Sequence, residues 1–258
     1  MNIEQLEMYS KEWYNEYFRR AINSSAHSQF CEKVYGKDLC QHGMMDIAEL
    51  NFLVTLIKPH SKILEIGCSN GYITEYIHDH TASEILGIDY SDVAIKQAEG
   101  RVKRKRLRYV QADLTVEEIP GDNYDFIVMI DSIYFVEDIR GVIAKIVPKL
   151  SLSGKLLITF FQVSEDGNSE GLLPDRTDLA EAMKKIGLEY EWYDFTENVR
   201  RHWLMNYQVG EELREIFKEE GNDFLYRART GENRYFKESV ERNAITRYLY
   251  VAKRIHTA

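Results

Sequence analysis

The sequence predicts an α/β fold: a doubly wound, mostly parallel sheet with a terminal antiparallel strand pair. Three observations carry that expectation. Short runs at 62–66, 84–88, 107–111, 125–130 and 155–161 are apolar or β-branched with little alternation, as strands covered on both faces are. Helical spacing separates most of these runs, and right-handed crossovers would place helices on both faces of the sheet. Polar residues stand at the carboxyl ends of successive strands, where open α/β sheets bind ligands: Glu65 with Gly67 and Gly71, then Asp89, Asp113 and Asp131.

The elements follow in order. Over 3–22, Leu6, Tyr9, Trp13, Tyr17 and Phe18, with Tyr14 alongside, recur at helical spacing and make an amphipathic helix with an aromatic face. A second helix spans 45–57 and stops at Pro59. The strand at 62–66 breaks at Gly67 and gives way to a helix over 72–80. The strand at 84–88 stops on Asp89, and Ser91 caps a helix that ends near Gly100. Strands at 107–111 and 125–130, a helix over 139–147 and a strand at 155–161 complete the alternation. A helix over 176–186 then leads into an alternating, Tyr- and Trp-rich strand at 188–195, and a last strand covers 245–252. These two late strands bracket a polar-aromatic insert, 199–243, with a helix at 211–219. The organisation expected is one domain over 1–258: an N-terminal helical cap (1–60), a ligand-binding core (61–165), and an insert that forms a lid or a dimer contact.

Composition narrows the class. The 258 residues, 44% hydrophobic and 29% charged, suit a globular chain with a sizeable core. No apolar run reaches the ~18 residues of a membrane span. The acidic start, Met-Asn-Ile-Glu-Gln-Leu-Glu, has no apolar signal core, and Cys31, Cys40 and Cys68 show no CxxC spacing, so a reduced cytoplasmic setting is expected. A net charge of -9 argues against nucleic acid or a membrane surface as partner. The basic run Arg101, Lys103, Arg104, Lys105, Arg106 and Arg108 reads as a solvated loop far from the strand ends.

The residue types at the strand ends describe a nucleoside pocket. The turn from Gly67 to Gly71 lets backbone approach a ligand and places N–H groups at a helix start. Asp89, following about 20 residues on, is placed to accept both ribose hydroxyls. Asp113 can accept from an exocyclic amine, with the Leu114 N–H beside it for a ring nitrogen. A nicotinamide dinucleotide would share this turn and acid, but the full GxGxxG is absent and Glu65 suits an ammonium group. An amino-acid-bearing nucleoside fits better.

On these residues, the stretch from about 61 to 161 resembles the core of class I S-adenosylmethionine-dependent methyltransferases of the small-molecule type, a Rossmann-like fold. The resemblance rests on Leu-Glu-Ile-Gly-Cys-Ser-Asn-Gly as the first motif, Asp89 as the ribose acid, Ala112-Asp113-Leu114, Tyr-Asp-Phe-Ile-Val-Met-Ile-Asp-Ser-Ile at the fourth strand, and Ser-Gly-Lys-Leu-Leu-Ile-Thr before the fifth. It implies S-adenosyl-L-methionine as cofactor, held by Glu65, Gly67, Cys68, Ser69, Gly71, Asp89, Tyr90, Ala112, Asp113, Leu114 and Asp131. One departure is Ser69, where the family usually has glycine; serine is uncomfortable there if the backbone needs positive φ. Gln41-His42-Gly43-Met44-Met45-Asp46 resembles a segment that small-molecule members place over the cofactor, with the aromatic helix closing behind it.

The implied reaction is in-line methyl transfer to a nitrogen or oxygen of a small molecule in a capped, dry pocket. Trp13, Tyr14, Tyr17, Tyr134 and Trp203 are the expected acceptor-lining residues, and His42 and His202 the candidate bases should the acceptor be a hydroxyl. The chain lacks the Asn/Asp-Pro-Pro-Tyr that marks exocyclic-amine nucleic-acid methylators. No metal is expected, since Phe161-Gln162-Val163 stands where the metal-assisted catechol type has an Asp-Asn pair. RNA or protein methylation, and cofactor binding without catalysis, remain the alternatives.

Overall fold

The structure, a computed structural model, describes residues 6–101, 104–165 and 170–255. The described residues 6–60 supply three helices, α1 (Lys11–Ala21), α2 (Ser25–Tyr35) and α3 (Ile47–Thr55). The core alternates β1 (Lys62–Ile66), α4 (Tyr72–Thr81), β2 (Glu84–Asp89), α5 (Asp92–Arg101), β3 (Leu107–Gln111), β4 (Tyr124–Met129), α6 (Ile139–Ile146) and β5 (Leu150–Val163). Then come α7 (Asp178–Ile186), β6 (Leu188–Asp194), α8 (Thr196–Glu212), α9 (Arg214–Glu219), α10 (Asp223–Thr230), α11 (Asn233–Glu241) and β7 (Ile245–Arg254).

The seven strands lie in the order β3-β2-β1-β4-β5-β7-β6, with β7 antiparallel to both β5 and β6 and the other pairings parallel. This is the Rossmann-like sheet with a terminal antiparallel pair that the sequence predicts. Strand order reverses between β1 and β4, so a crevice opens at their carboxyl ends. One face buries Leu64, Leu86, Ile127, Leu156 and Tyr250 against α6 and α7. The other buries Ile63, Ile85, Phe126, Val128 and Leu157 under α3, α4 and α5. The alternation of these two sets explains why β1, β2 and β4 show no polar face.

The helical regions depart from expectation. Residues 25–35 form a helix that the periodicity does not announce, although Ser24 caps it and Gly36 ends it in the left-handed region. The first helix starts only at Lys11, where the Ser10 hydroxyl accepts from the Trp13 N–H; Ile3, its predicted start, lies outside the described residues. The second helix begins after Asp46, whose carboxylate accepts from the Glu49 N–H. The insert holds four helices, α8 to α11, rather than one. Its α8 packs on α2 and β7, and α10 packs on α1, so cap and insert share an aromatic core of Trp13, Tyr17, Phe18, Phe30, Phe217 and Phe224.

Most of the basic run sits at the amino end of β3, away from the crevice, but Arg101 reaches back to the Asn70 carbonyl at 2.6 Å in the turn after β1. Arg101 pairs with Glu75, Arg104 with Asp79 and Arg108 with Glu84; Lys103 lies outside the described residues. Among the described residues no helix is long and apolar enough to cross a membrane.

Candidate active site

The turn after β1 is built by conformations that most side chains resist. Gly67 and Gly71 have φ of 79° and 82°, and a Cβ on Gly67 would stand 2.6 Å from the Ser132 Cβ. Ser69 does occupy the left-handed region, at φ 53°, the discomfort the sequence raised. Its N–H donates to Asp89 Oδ2 at 2.8 Å, a bond that offsets part of a strain of order 1–2 kcal/mol. Gly67 and Cys68 donate to the Ile88 carbonyl and Gly71 to that of Cys68. Backbone donors expected to face a ligand are therefore spent inside the turn, which leaves little for a diphosphate.

Asp89 closes the turn from the second strand. One oxygen takes the Ser69 N–H and the other the Ser91 N–H at 2.9 Å, leaving each a free lone pair for a hydroxyl. Burial pushes its carboxyl up to about 6, against those backbone donors. Glu65, at the end of β1, is buried with its Oε2 unpartnered, and burial pushes it up to about 7. A buried carboxylate oxygen without a partner is what a ligand ammonium would complete. Both acids, Tyr90, Ala112, Asp113 and Leu114 line one cavity of about 620 Å³, which extends beneath the cap and insert. The residues present thus fit S-adenosylmethionine: Asp89 for the ribose, Glu65 for the ammonium side, and Ala112 to Leu114 for the base.

These raised values set a pH dependence. A carboxyl raised in the folded chain makes its ionised form costly, so its contribution to stability is full below the ordinary carboxylate range and declines as pH rises to about 7. A ligand cation and hydroxyls reverse that cost by favouring the ionised forms. We expect the affinity for S-adenosylhomocysteine to fall as pH drops from 8 to 5, with protons released on binding near pH 6.5. Calorimetry in buffers of different ionisation enthalpy checks both.

Asp131 departs from the expected role. Its Oδ2 accepts from the N–H groups of Met44 and Met45, at 2.6 and 3.0 Å, and its Oδ1 pairs with Arg247. Burial would raise this carboxyl, but the Arg247 guanidinium and the two backbone donors outweigh it and hold it below the ordinary aspartate value. Arg247, fully buried, also donates from Nε to both Glu49 oxygens at 2.9 and 3.0 Å. Asp131 therefore borders the cavity but serves to fasten the 43–45 loop and α3 to the sheet. Arg229, from α10, grips the same loop from the other side through the carbonyls of Gln41 and His42 and the hydroxyls of Tyr17 and Tyr35.

The other expected residues divide. Tyr14, Tyr134, Trp203, His42 and His202 line the cavity, whereas Trp13 and Tyr17 do not and pack in the core behind it. The cause is helix geometry: Tyr14 turns one side of α1 inward while Trp13 and Tyr17, four residues apart, stack on each other at 5.6 Å. His42 stands edge-on to Tyr14 and Tyr17 at 5.4 and 4.9 Å. Burial, then the Arg229 charge, lowers both imidazoles, His202 to about 3. Both imidazoles border the cavity in surroundings that favour their neutral form. Phe161, Arg229, Glu232 and Phe236 also line the cavity and carry no signal in the sequence as lining residues; Tyr9, part of the aromatic stripe, joins them across 223 positions from Glu232.

Residues 64–156 match the family model of the methyltransferase domain. A lysine and N-terminal methyltransferase of the elongation factor eEF1A from Bos taurus is 34% identical over 28% of this chain and 10% of its own length. Phosphoethanolamine N-methyltransferase 3 of Arabidopsis thaliana is 26% identical over 50% of this chain and 26% of its own. The chain spans only a part of the curated relatives it matches. Among solved structures, phosphoethanolamine N-methyltransferase 2 of Haemonchus contortus, in complex with phosphomonomethylethanolamine and S-adenosylhomocysteine, superposes with a TM-score of 0.74 at 18% identity. That superposition covers 94% of this chain and 60% of the other.

Proposed function

We propose, from the match of residues 64–156 to the methyltransferase-domain family model, that this chain is a class I enzyme that transfers a methyl group from S-adenosylmethionine to a nitrogen or oxygen of a small molecule. The observation that carries the reading is the cavity of about 620 Å³. It runs from Glu65 and Asp89 to an aromatic chamber under the insert, and its volume is that of a small-ligand pocket. A relative that modifies phosphoethanolamine and another that modifies a protein leave the acceptor class to this geometry, and a pocket of this size lying between cap, core and insert favours a small molecule.

When bound, S-adenosylmethionine supplies an activated methyl group on a sulfonium. The chain's own contribution is binding and enclosure. Glu65 and Asp89 orient the two ends of the nucleoside. The 41–45 loop, held by Asp131 and Arg229, bars water from the chamber, and Tyr14 and Tyr134 pack against whatever enters it. Holding acceptor and methyl in line in a dry site can supply up to ~7–11 kcal/mol of the barrier. No strong base is needed for a neutral amine, in keeping with the depressed histidines.

The test is release of S-adenosylhomocysteine from the protein and S-adenosylmethionine, with a metabolite fraction below 1 kDa as acceptor source. Turnover with that fraction, and none with total RNA or protein, supports the reading. Turnover with the macromolecular fractions alone overturns it.

A further inference from the structure

The end of the cavity away from Asp89 is walled by aromatic rings and carries one carboxylate not committed to a cation. Glu232, the residue before α11, lines this end and accepts from the Tyr9 hydroxyl. Glu232 is half-buried and among the described residues makes no ion pair, whereas the buried Asp131 and Glu49 both face Arg247. The rings divide into two groups that border the same space. Tyr9 stands 5.5 Å from Phe135 and 6.2 Å from Tyr14. Trp203 stacks on Phe236 at 3.9 Å, one turn beyond Glu232. Tyr134 joins them, 4.9 Å from Phe135 and packed with the Trp203 cluster.

The charges along the cavity point the same way. Its lining holds Glu65, Asp89, Asp113, Asp131 and Glu232 against a single arginine, Arg229. The terminal nitrogens of Arg229 are turned to the Gln41 and His42 carbonyls and two tyrosine hydroxyls, and so are committed to the cap. An aromatic enclosure with one free carboxylate binds cations, because ring faces and carboxylate attract the same charge. Tyr14 lies between the two ends: the charges of Asp89 and Glu232 both act on its buried hydroxyl.

We propose that Glu232, positioned by Tyr9, reads the acceptor, and that the acceptor is an amine. This inference rests on the methyltransferase reading above and narrows it from nitrogen or oxygen to nitrogen. The amine enters as its ammonium form and leaves its proton on the Glu232 carboxylate. The freed lone pair forms the N–C bond as the C–S bond breaks, and the C–S pair stays on sulfur. Atoms and electrons balance with no further reactant.

The experiment compares choline with 3,3-dimethylbutan-1-ol, which share a shape and differ in the cationic nitrogen. Choline is already fully methylated and cannot turn over. Both are titrated into the full chain saturated with S-adenosylhomocysteine and read by saturation-transfer NMR. The expected result is choline binding at least tenfold tighter than the alcohol, with that preference lost in Glu232→Gln and reduced in Tyr9→Phe. In both variants the affinity for S-adenosylhomocysteine should stay within twofold, which shows that they fold. Equal binding of the two probes, no binding of choline, or an unchanged preference in Glu232→Gln overturns the proposal. Failure of the wild-type chain to bind S-adenosylhomocysteine would instead overturn the methyltransferase reading itself.

Discussion

Asp89→Ala should lower the affinity for S-adenosylhomocysteine by at least 100-fold while the chain stays folded. The carboxylate is buried at the end of β2, and each oxygen retains a lone pair after taking one backbone N–H. Hydrogen bonds to a charged group contribute ~1.5–3 kcal/mol each, so losing two removes about 3–6 kcal/mol. At ~1.4 kcal/mol per decade this is a hundredfold or more. The same change strands the Ser69 and Ser91 N–H groups and loosens the turn that holds Ser69 left-handed. Asp89→Asn separates the two effects, since its amide keeps one acceptor oxygen and the shape of the side chain. Its loss should be intermediate, with the helical and strand signals of circular dichroism unchanged. Calorimetric titration of both variants checks this.

Arg247→Met should cost about 3–5 kcal/mol of unfolding free energy, the largest stability effect expected of any single change here. Glu49 and Asp131 would remain buried with no cation beside them. Urea unfolding followed by fluorescence measures the loss. The low value of Asp131 adds a pH signature. A carboxyl held below its unfolded value contributes stability that is present above the ordinary aspartate range and lost as pH falls through its folded value. Wild type should therefore lose stability on acidification from this group, and the variant should lose less, because its Asp131 no longer has the cation that lowers it.

The strand-end part of the candidate site was legible because it is local. The turn after β1, the acid after β2 and the Ala112 to Leu114 stretch each lie within a few residues of a strand end, so their order along the chain is their order along the crevice. The use of each residue was less legible. Asp131 sits where a cofactor acid would, and only the packing of β7 shows that Arg247 claims it. Trp13 and Tyr17 lie on the same aromatic face as Tyr14, and only about 60–100° around α1 separate core from cavity. The acceptor end was the least readable. Tyr9 and Glu232 meet from opposite ends of the chain, and helices α10 and α11, which bring Glu232 in, have no long periodic run to reveal them. Contacts of that separation are set by tertiary packing, which single-sequence spacing does not carry.

The most direct test of the account is calorimetric titration of the wild-type chain with S-adenosylhomocysteine at pH 8, followed by NAD under the same conditions. The account predicts one site per chain for S-adenosylhomocysteine, displaced by S-adenosylmethionine, and no heat with NAD. Absence of S-adenosylhomocysteine binding, or binding of NAD in its place, would contradict it.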